Sequence, residues 1–124
     1  KMDSTAYFSF QHTPYIMDNG DLMLFDNGLY DQRSGGKAFR LDEKNRTATT
    51  TINALLPADK YTSRMGSCYL MPNGNLLQCS SKTGSVMVTD KKGKVLWECV
   101  LHFAPYRAVY VPMETWSKYF KEIK

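Results

Sequence analysis

The stretch Tyr15-Ile16-Met17-Asp18-Asn19-Gly20-Asp21-Leu22-Met23-Leu24 returns 54 residues later as Tyr69-Leu70-Met71-Pro72-Asn73-Gly74-Asn75-Leu76-Leu77-Gln78. Further on, Gly36 with Phe39-Arg40-Leu41-Asp42 and Arg46 returns 48 residues later as Gly84 with Met87-Val88-Thr89-Asp90 and Lys94. The change of offset places a six-residue insertion in the first copy, between Asp26 and Gly36. A period near fifty, built of short strands and turns, is the signature of propeller blades, solenoid coils or tandem arrays.

Asn-Gly tolerates positive φ at both central positions of a two-residue turn. Asp18-Asn19-Gly20-Asp21 and Pro72-Asn73-Gly74-Asn75 therefore predict type I′ hairpins. The first pairs residues 13–17 with 22–26 and the second pairs 67–71 with 76–80. Each copy continues with a third strand (38–41, 86–89), a charged turn (Asp42-Glu43-Lys44-Asn45, Asp90-Lys91-Lys92-Gly93) and a fourth strand (47–52, 95–101). These segments lack the i, i+3, i+4 apolar spacing of a helical repeat. The sequence thus predicts an all-β fold with two four-stranded antiparallel blades of a β-propeller, spanning about 8–55 and 62–101. Residues 102–124 then supply a closing strand at 106–111 and a tail. Pro112 opens a short C-terminal amphipathic helix in that tail. Its stripe of Trp116, Tyr119, Phe120 and Ile123 is expected to pack on the propeller while Lys118, Lys121 and Lys124 face water.

A chain of 124 residues with 43% hydrophobic and 13% aromatic content can bury a core. Two blades cannot close a ring that needs roughly 4 to 8 of them, so the chain reads as the C-terminal part of a larger propeller. No run of about 18 apolar residues spans a membrane, and no signal peptide is recognised at Lys1. The net charge of +4 comes from lysines spread over turns and tail, which sets aside nucleic acid as a partner. Three cysteines cannot all pair internally. A two-residue turn at Asn73-Gly74 would set Cys68 opposite Cys79, leaving a cross-strand disulfide open beside the plainer reading of two buried thiols. Neither Cys nor His spacing makes a zinc site.

Gln11-His12-Thr13-Pro14, then Asn19-Gly20-Asp21-Leu22-Met23-Leu24-Phe25-Asp26-Asn27-Gly28 and Arg33, resembles the bacterial arylsulfate sulfotransferases. Ser63, Gly66-Ser67, Gly93-Lys94-Val95-Leu96-Trp97-Glu98 and Tyr106-Arg107-Ala108 extend the resemblance over most of the chain. It implies a six-bladed propeller, periplasmic or otherwise exported, whose channel moves a sulfuryl group from a phenolic sulfate ester to another phenol. It also implies that neither a nucleotide sulfate donor nor a cofactor is used, and that a histidine is transiently sulfurylated. By motif position His12 is that nucleophile. The partners so implied are the phenolic donor and acceptor and the remaining blades; a homodimer is compatible with them.

Imidazole suits the role because a neutral nucleophile at pH 7 can face an anionic sulfate held by cationic donors. Arg107 sits where a new innermost strand would begin and offers the forked donor geometry that fits a sulfate. Ser67 is the repeat counterpart of a residue beside His12 and is a second substrate-binding candidate. Arg33, in the inserted loop, either reaches over the channel mouth or lies in solvent. His102 reads as a loop or core residue. The rival readings are a non-catalytic propeller binding or scaffold module and a quinoprotein-type propeller, the latter suggested only by the Gly-Lys-Val-Leu-Trp-Glu element.

Overall fold

The computed structural model describes residues 1–120, and the helix positions Lys121, Ile123 and Lys124 lie outside the described residues. Two four-stranded antiparallel sheets follow one another along the chain. The first comprises β1 (His12–Ile16), β2 (Leu22–Asp26), β3 (Gly35–Asp42) and β4 (Thr47–Leu55), in that spatial order. The second comprises β5 (Ser67–Leu70), β6 (Leu76–Ser80), β7 (Ser85–Thr89) and β8 (Val95–Val100), again in sequence order. A single 3₁₀ turn at Ala58–Lys60 lies on the crossing between them. Two meandering sheets packed face to face are the arrangement of adjacent propeller blades. No helix among the described residues is long and apolar enough to cross a membrane.

Both Asn-Gly turns differ from the expected type. Only the glycines adopt positive φ, Gly20 at 85° and Gly74 at 84°, whereas type I′ needs it at both central residues. Gly20 N–H donates to Met17 O and Met17 N–H to Asp21 O, and the second copy repeats both bonds between Gly74, Met71 and Asn75. Each is therefore a three-residue loop whose glycine forms a bulge. The extra residue shifts the ladder by one. Cys68 pairs with Gln78 and Cys79 with Ser67, so the two thiols leave the sheet on opposite faces. The cross-strand disulfide is thereby excluded, and Cys68 and Cys79 are free, buried thiols.

The register also decides what lies between the sheets. Met23 and Phe25 of β2, Ala38 of β3, Ile52 and Ala54 of β4 and the following Leu56 meet Cys68, Leu76 and Met87 of the second sheet in one buried cluster. At about 1.5–3 kcal/mol for each large apolar side chain removed from water, this shared cluster is the main attraction between the sheets. Gln78 is buried in its midst with its amide fully used: Oε1 accepts from Gly36 N–H (2.8 Å), and Nε2 donates to Thr89 Oγ1 (2.8 Å) and Ala54 O (3.2 Å). Gly36 leaves room for this approach, since a Cβ there would run into the Cys68 sulfur.

The other face of the first sheet carries Leu24 and Phe39, covered by Ala6 of the N-terminal segment, with the Phe8 ring 5.7 Å from that of Phe39. That segment is fastened at the outer edge, where Thr50 N–H (2.6 Å) and Thr50 Oγ1 (3.0 Å) donate to the Asp3 carboxylate. These bonds, the Thr50 N–H first and the Thr5 hydroxyl next, lower the Asp3 pKa from 3.8 to about 2.

Two further expectations fail. Residues 106–111 form no strand: the ladder partner an inner strand needs is absent among the described residues, and Gly66 N–H to Tyr106 O (3.4 Å) is the single backbone bond given to the segment. Helix α1 (Met113–Tyr119) does begin after Pro112, yet none of its residues is buried. Trp116 stacks on Phe120 with ring centroids 4.0 Å apart rather than on a sheet.

Three outcomes follow for the intact protein. Gln78→Leu keeps the volume but orphans the Gly36 N–H, and should lower stability by about 1–3 kcal/mol in denaturant melts; an unchanged midpoint would refute the bridge. A thiol reagent under native conditions should modify Cys99 before Cys68, whose burial pushes its pKa up; prompt labelling of Cys68 would contradict the register. Because the Asp3 pKa is depressed, its anchor is complete above about pH 4 and is lost as pH falls through about 2. The protection factor of the Thr50 amide, exchange taken against the intrinsic rate at each pH, should fall over that window, and a constant protection factor would count against the anchor.

Candidate functional site

His12 opens β1, the inner edge of the first sheet. Strand β1 pairs His12 with Phe25 and Tyr15 with Met23, so Thr13 and Pro14 together oppose Leu24. This is a bulge, and its cause is local. Pro14 has no N–H for the ladder, and Thr13 is held at φ 49°, a left-handed conformation that is rare for a β-branched residue. The bulge changes the parity of the strand. Three positions apart, His12 and Tyr15 would otherwise point to opposite faces; here both lie on the face that meets the second sheet. Phe10 is also left-handed, at φ 56°, so two strained residues flank the imidazole.

The imidazole is half-buried and held from one side. Its Nδ1 lies 2.7 Å from Asn27 Oδ1 and 3.1 Å from Phe10 O. Both partners are acceptors, because the Asn27 amide nitrogen is spent on Thr62 O (2.7 Å) and Met65 O (2.9 Å). Nδ1 therefore carries the proton and donates it, which leaves Nε2 as the nitrogen with a free lone pair. The Thr13 hydroxyl is buried without a hydrogen-bond partner.

The motif after β2 divides its work residue by residue. Phe25 is in the inter-sheet core. Asp26 accepts from Ser9 N–H and Gly28 N–H, both 2.9 Å, and pairs with the buried Lys37 ammonium at 2.7 Å. Asn27 joins His12 to the segment leading into the second sheet. Gly28, at φ 61°, lets the chain turn tightly against the Arg33 backbone. The Ser34 hydroxyl closes the network, donating to Asn27 O (2.8 Å) and accepting from Thr62 N–H (3.0 Å). A cavity of about 340 Å³ beside Asp26 and Lys37 is walled by Tyr7, Phe8 and Tyr30; His12 does not line it.

The other candidates distribute differently from expectation. Arg33 neither reaches outward nor lies free: its Nη2 donates to Leu56 O at 3.0 Å, tying the inserted loop to the end of β4. Ser67 is buried, and its hydroxyl is taken by Ala108, accepting from its N–H at 3.0 Å. His102 lies exposed in the bend after β8. Arg107 is exposed, stacked over the Tyr106 ring at 5.0 Å and 3.4 Å from the Tyr69 hydroxyl. Tyr69 in turn stacks on Tyr15, with centroids 5.4 Å apart, so an aromatic row connects Arg107 to the strand that bears His12.

The repeat gives Arg107 a defined station. Asn27 and Ser81 are counterparts, and Ser81 reaches Pro105 O and Tyr106 O as Asn27 reaches Thr62 O and Met65 O. The residue after each second carbonyl is Gly66 in one case and Arg107 in the other, and the counterpart of Gly66 in the first copy is His12. His12 and Gly66 thus hold equivalent positions at the entrances of β1 and β5, and Arg107 follows the carbonyl that Ser81 reaches, in a segment that forms no strand. Gly66 has no side chain to offer, and a Cβ there would meet the Phe25 ring within 2.5 Å and Cys79 O within 2.9 Å. Asn27 is the residue in contact with the His12 ring that inspection of the sequence misses. Its signal was its place in the Phe-Asp-Asn-Gly phrase, but which carbonyls it reaches depends on the fold.

No curated protein and no solved structure is matched by the chain. The family model described as arylsulfotransferase (ASST) matches residues 1–102, the span that holds both sheets, His12 and Asn27. The chain belongs to the arylsulfotransferase (ASST) family.

Proposed function

We propose that His12 is the sulfuryl acceptor of an arylsulfate sulfotransferase, in which this chain forms the last two blades of a six-bladed propeller in an exported enzyme. Membership in the family gives the activity class. The observation that carries the finer reading is the imidazole whose Nδ1 is fixed by two acceptors, so that Nε2 is unprotonated and free.

In the first half-reaction the Nε2 lone pair attacks the sulfur of a phenolic sulfate ester. The S–O bond to the phenol breaks, the phenolate leaves with the bonding pair, and the sulfuryl group rests on Nε2. In the second, an acceptor phenol oxygen attacks the same sulfur, its proton departs, and the N–S bond breaks to restore the lone pair. Charge on the peripheral sulfate oxygens needs donors that are already in place. The Arg107 guanidinium is the group of this chain that supplies one, linked to the strand of His12 through the Tyr69 and Tyr15 rings. Upstream blades supply the rest of the channel. Ser67 acts through structure, its hydroxyl engaged with Ala108, and Arg33 ties its loop to Leu56 through Nη2 while its Nε stays buried and unpaired.

His12→Ala in the intact enzyme should reduce turnover of a nitrophenyl sulfate, with phenol as acceptor, by roughly 10⁴-fold or more, and the wild type should show ping-pong kinetics. Turnover retained in that variant would sink the assignment. Arg107→Ala should lower kcat/KM for the sulfated donor by roughly 10- to 100-fold, the worth of a charge-assisted hydrogen bond, and Arg107→Lys should recover only part of it. Equal kcat/KM in all three would remove Arg107 from the site.

A further inference from the structure

We infer that Asn27 is the positioning residue of this centre, and that it makes the reactive tautomer of His12 conditional on the docking of the second sheet. The catalytic meaning rests on the proposal that His12 accepts the sulfuryl group; the tautomer itself does not.

A neutral imidazole can carry its proton on either nitrogen, and a side-chain amide can present either its oxygen or its NH₂ to a neighbour. The pair His12–Asn27 therefore has two self-consistent arrangements. In one, Asn27 offers Oδ1, Nδ1 is protonated, and Nε2 has the lone pair. In the other the amide is turned over, its NH₂ donates to Nδ1, and the proton sits on Nε2, which can then attack nothing. Thr62 O and Met65 O choose between them. Both belong to the segment that leads into β5, and together they take both hydrogens of the Asn27 amide at 2.7 and 2.9 Å. Turning the amide over would set Oδ1 against two carbonyl oxygens inside a buried site, where an unmatched polar group costs about 1–3 kcal/mol. Asn27 is fully buried, so water does not relieve that mismatch. Its backbone is fixed as well, by the Ser34 hydroxyl, which also accepts from Thr62 N–H.

The second copy shows which half of this device is needed for packing alone. At the counterpart position Ser81 donates to Pro105 O and Tyr106 O, so a hydroxyl suffices to tie a sheet to the segment that follows it. The counterpart of His12 is Gly66, and there is no ring to orient. An amide stands where a ring must be oriented and a hydroxyl where it need not. The amide has one hydrogen for each of the two carbonyls and a separate oxygen to accept from the imidazole, where a hydroxyl has a single hydrogen and a single atom for both tasks.

Asn27→Ser therefore keeps a donor for the lead-in segment and removes Oδ1, the nearer of the two acceptors of Nδ1, leaving Phe10 O at 3.1 Å. In the intact enzyme with ¹⁵N-labelled histidine, His12 assigned by loss of its signals in His12→Gln, the wild type should show protonated Nδ1 and bare Nε2. In Asn27→Ser the population should move toward Nε2–H, with kcat falling about 100-fold and the donor KM nearly unchanged. A wild-type spectrum with Nε2–H would overturn the inference, whatever the variant does, and it stays decisive if Asn27→Ser fails to fold. An unchanged tautomer in a folded Asn27→Ser would overturn it too. A shifted tautomer with unchanged kcat would uphold the lock and overturn His12 as the sulfuryl acceptor, which keeps the two failures apart.

Discussion

A four-stranded sheet has two faces, and neither sheet of this chain can leave its apolar face in water. The contact of Met23, Phe25, Ala38 and Ile52 with Cys68, Leu76 and Met87 is the constraint from which the remaining features follow. It is non-directional and would tolerate sliding. Gln78, with its amide spent on Gly36, Ala54 and Thr89, supplies the direction, because hydrogen bonds in a buried setting are costly to misplace. Apolar area holds the sheets together, and one amide fixes how they sit.

The candidate site is built on that alignment rather than beside it. A bulge at Thr13 and Pro14 turns the His12 ring toward the seam between the sheets. Asn27 reaches across the same seam to Thr62 and Met65, so the amide that holds the ring is itself held by the segment leading into the second sheet. Asp26 works in the opposite direction, toward the N-terminal segment and Lys37, and holds the motif from its far side. Adjacent residues of one short phrase thus serve three different neighbours.

Much of this was legible in the sequence. The repeat and the alternation of its strands fixed eight strands and their antiparallel order, because period-two patterning and turn residues are local signals. The motif around His12 pointed to the arylsulfotransferase family. The details that failed were those decided by one residue or by distant partners. Asn-Gly fits a two-residue turn and a three-residue turn with a glycine bulge alike; the choice moved the register by one and parted Cys68 from Cys79. Residues 106–111 have strand-like composition, but a strand needs a neighbour, and the apolar spacing in α1 says nothing of what it covers. The bonds of Arg33 Nη2 to Leu56 and of the Ser67 hydroxyl to Ala108 join residues far apart in the chain, which composition and spacing do not reveal. The bulge that sets the parity of His12 left a mark in Pro14, whose meaning appears only once the pairing of Tyr15 with Met23 is known.

The tight seat of Gly66 under the Phe25 ring bears on how the two halves of the duplication could diverge. A duplicated segment begins with two interchangeable stations, and drift can in principle place chemistry in either. Here one station is closed, for any side chain at 66 must displace an aromatic ring that the shared core cannot spare. Of the two, position 12 is the one with room for a ring, and anyone wishing to install a second imidazole would have to remake the core before touching position 66 itself.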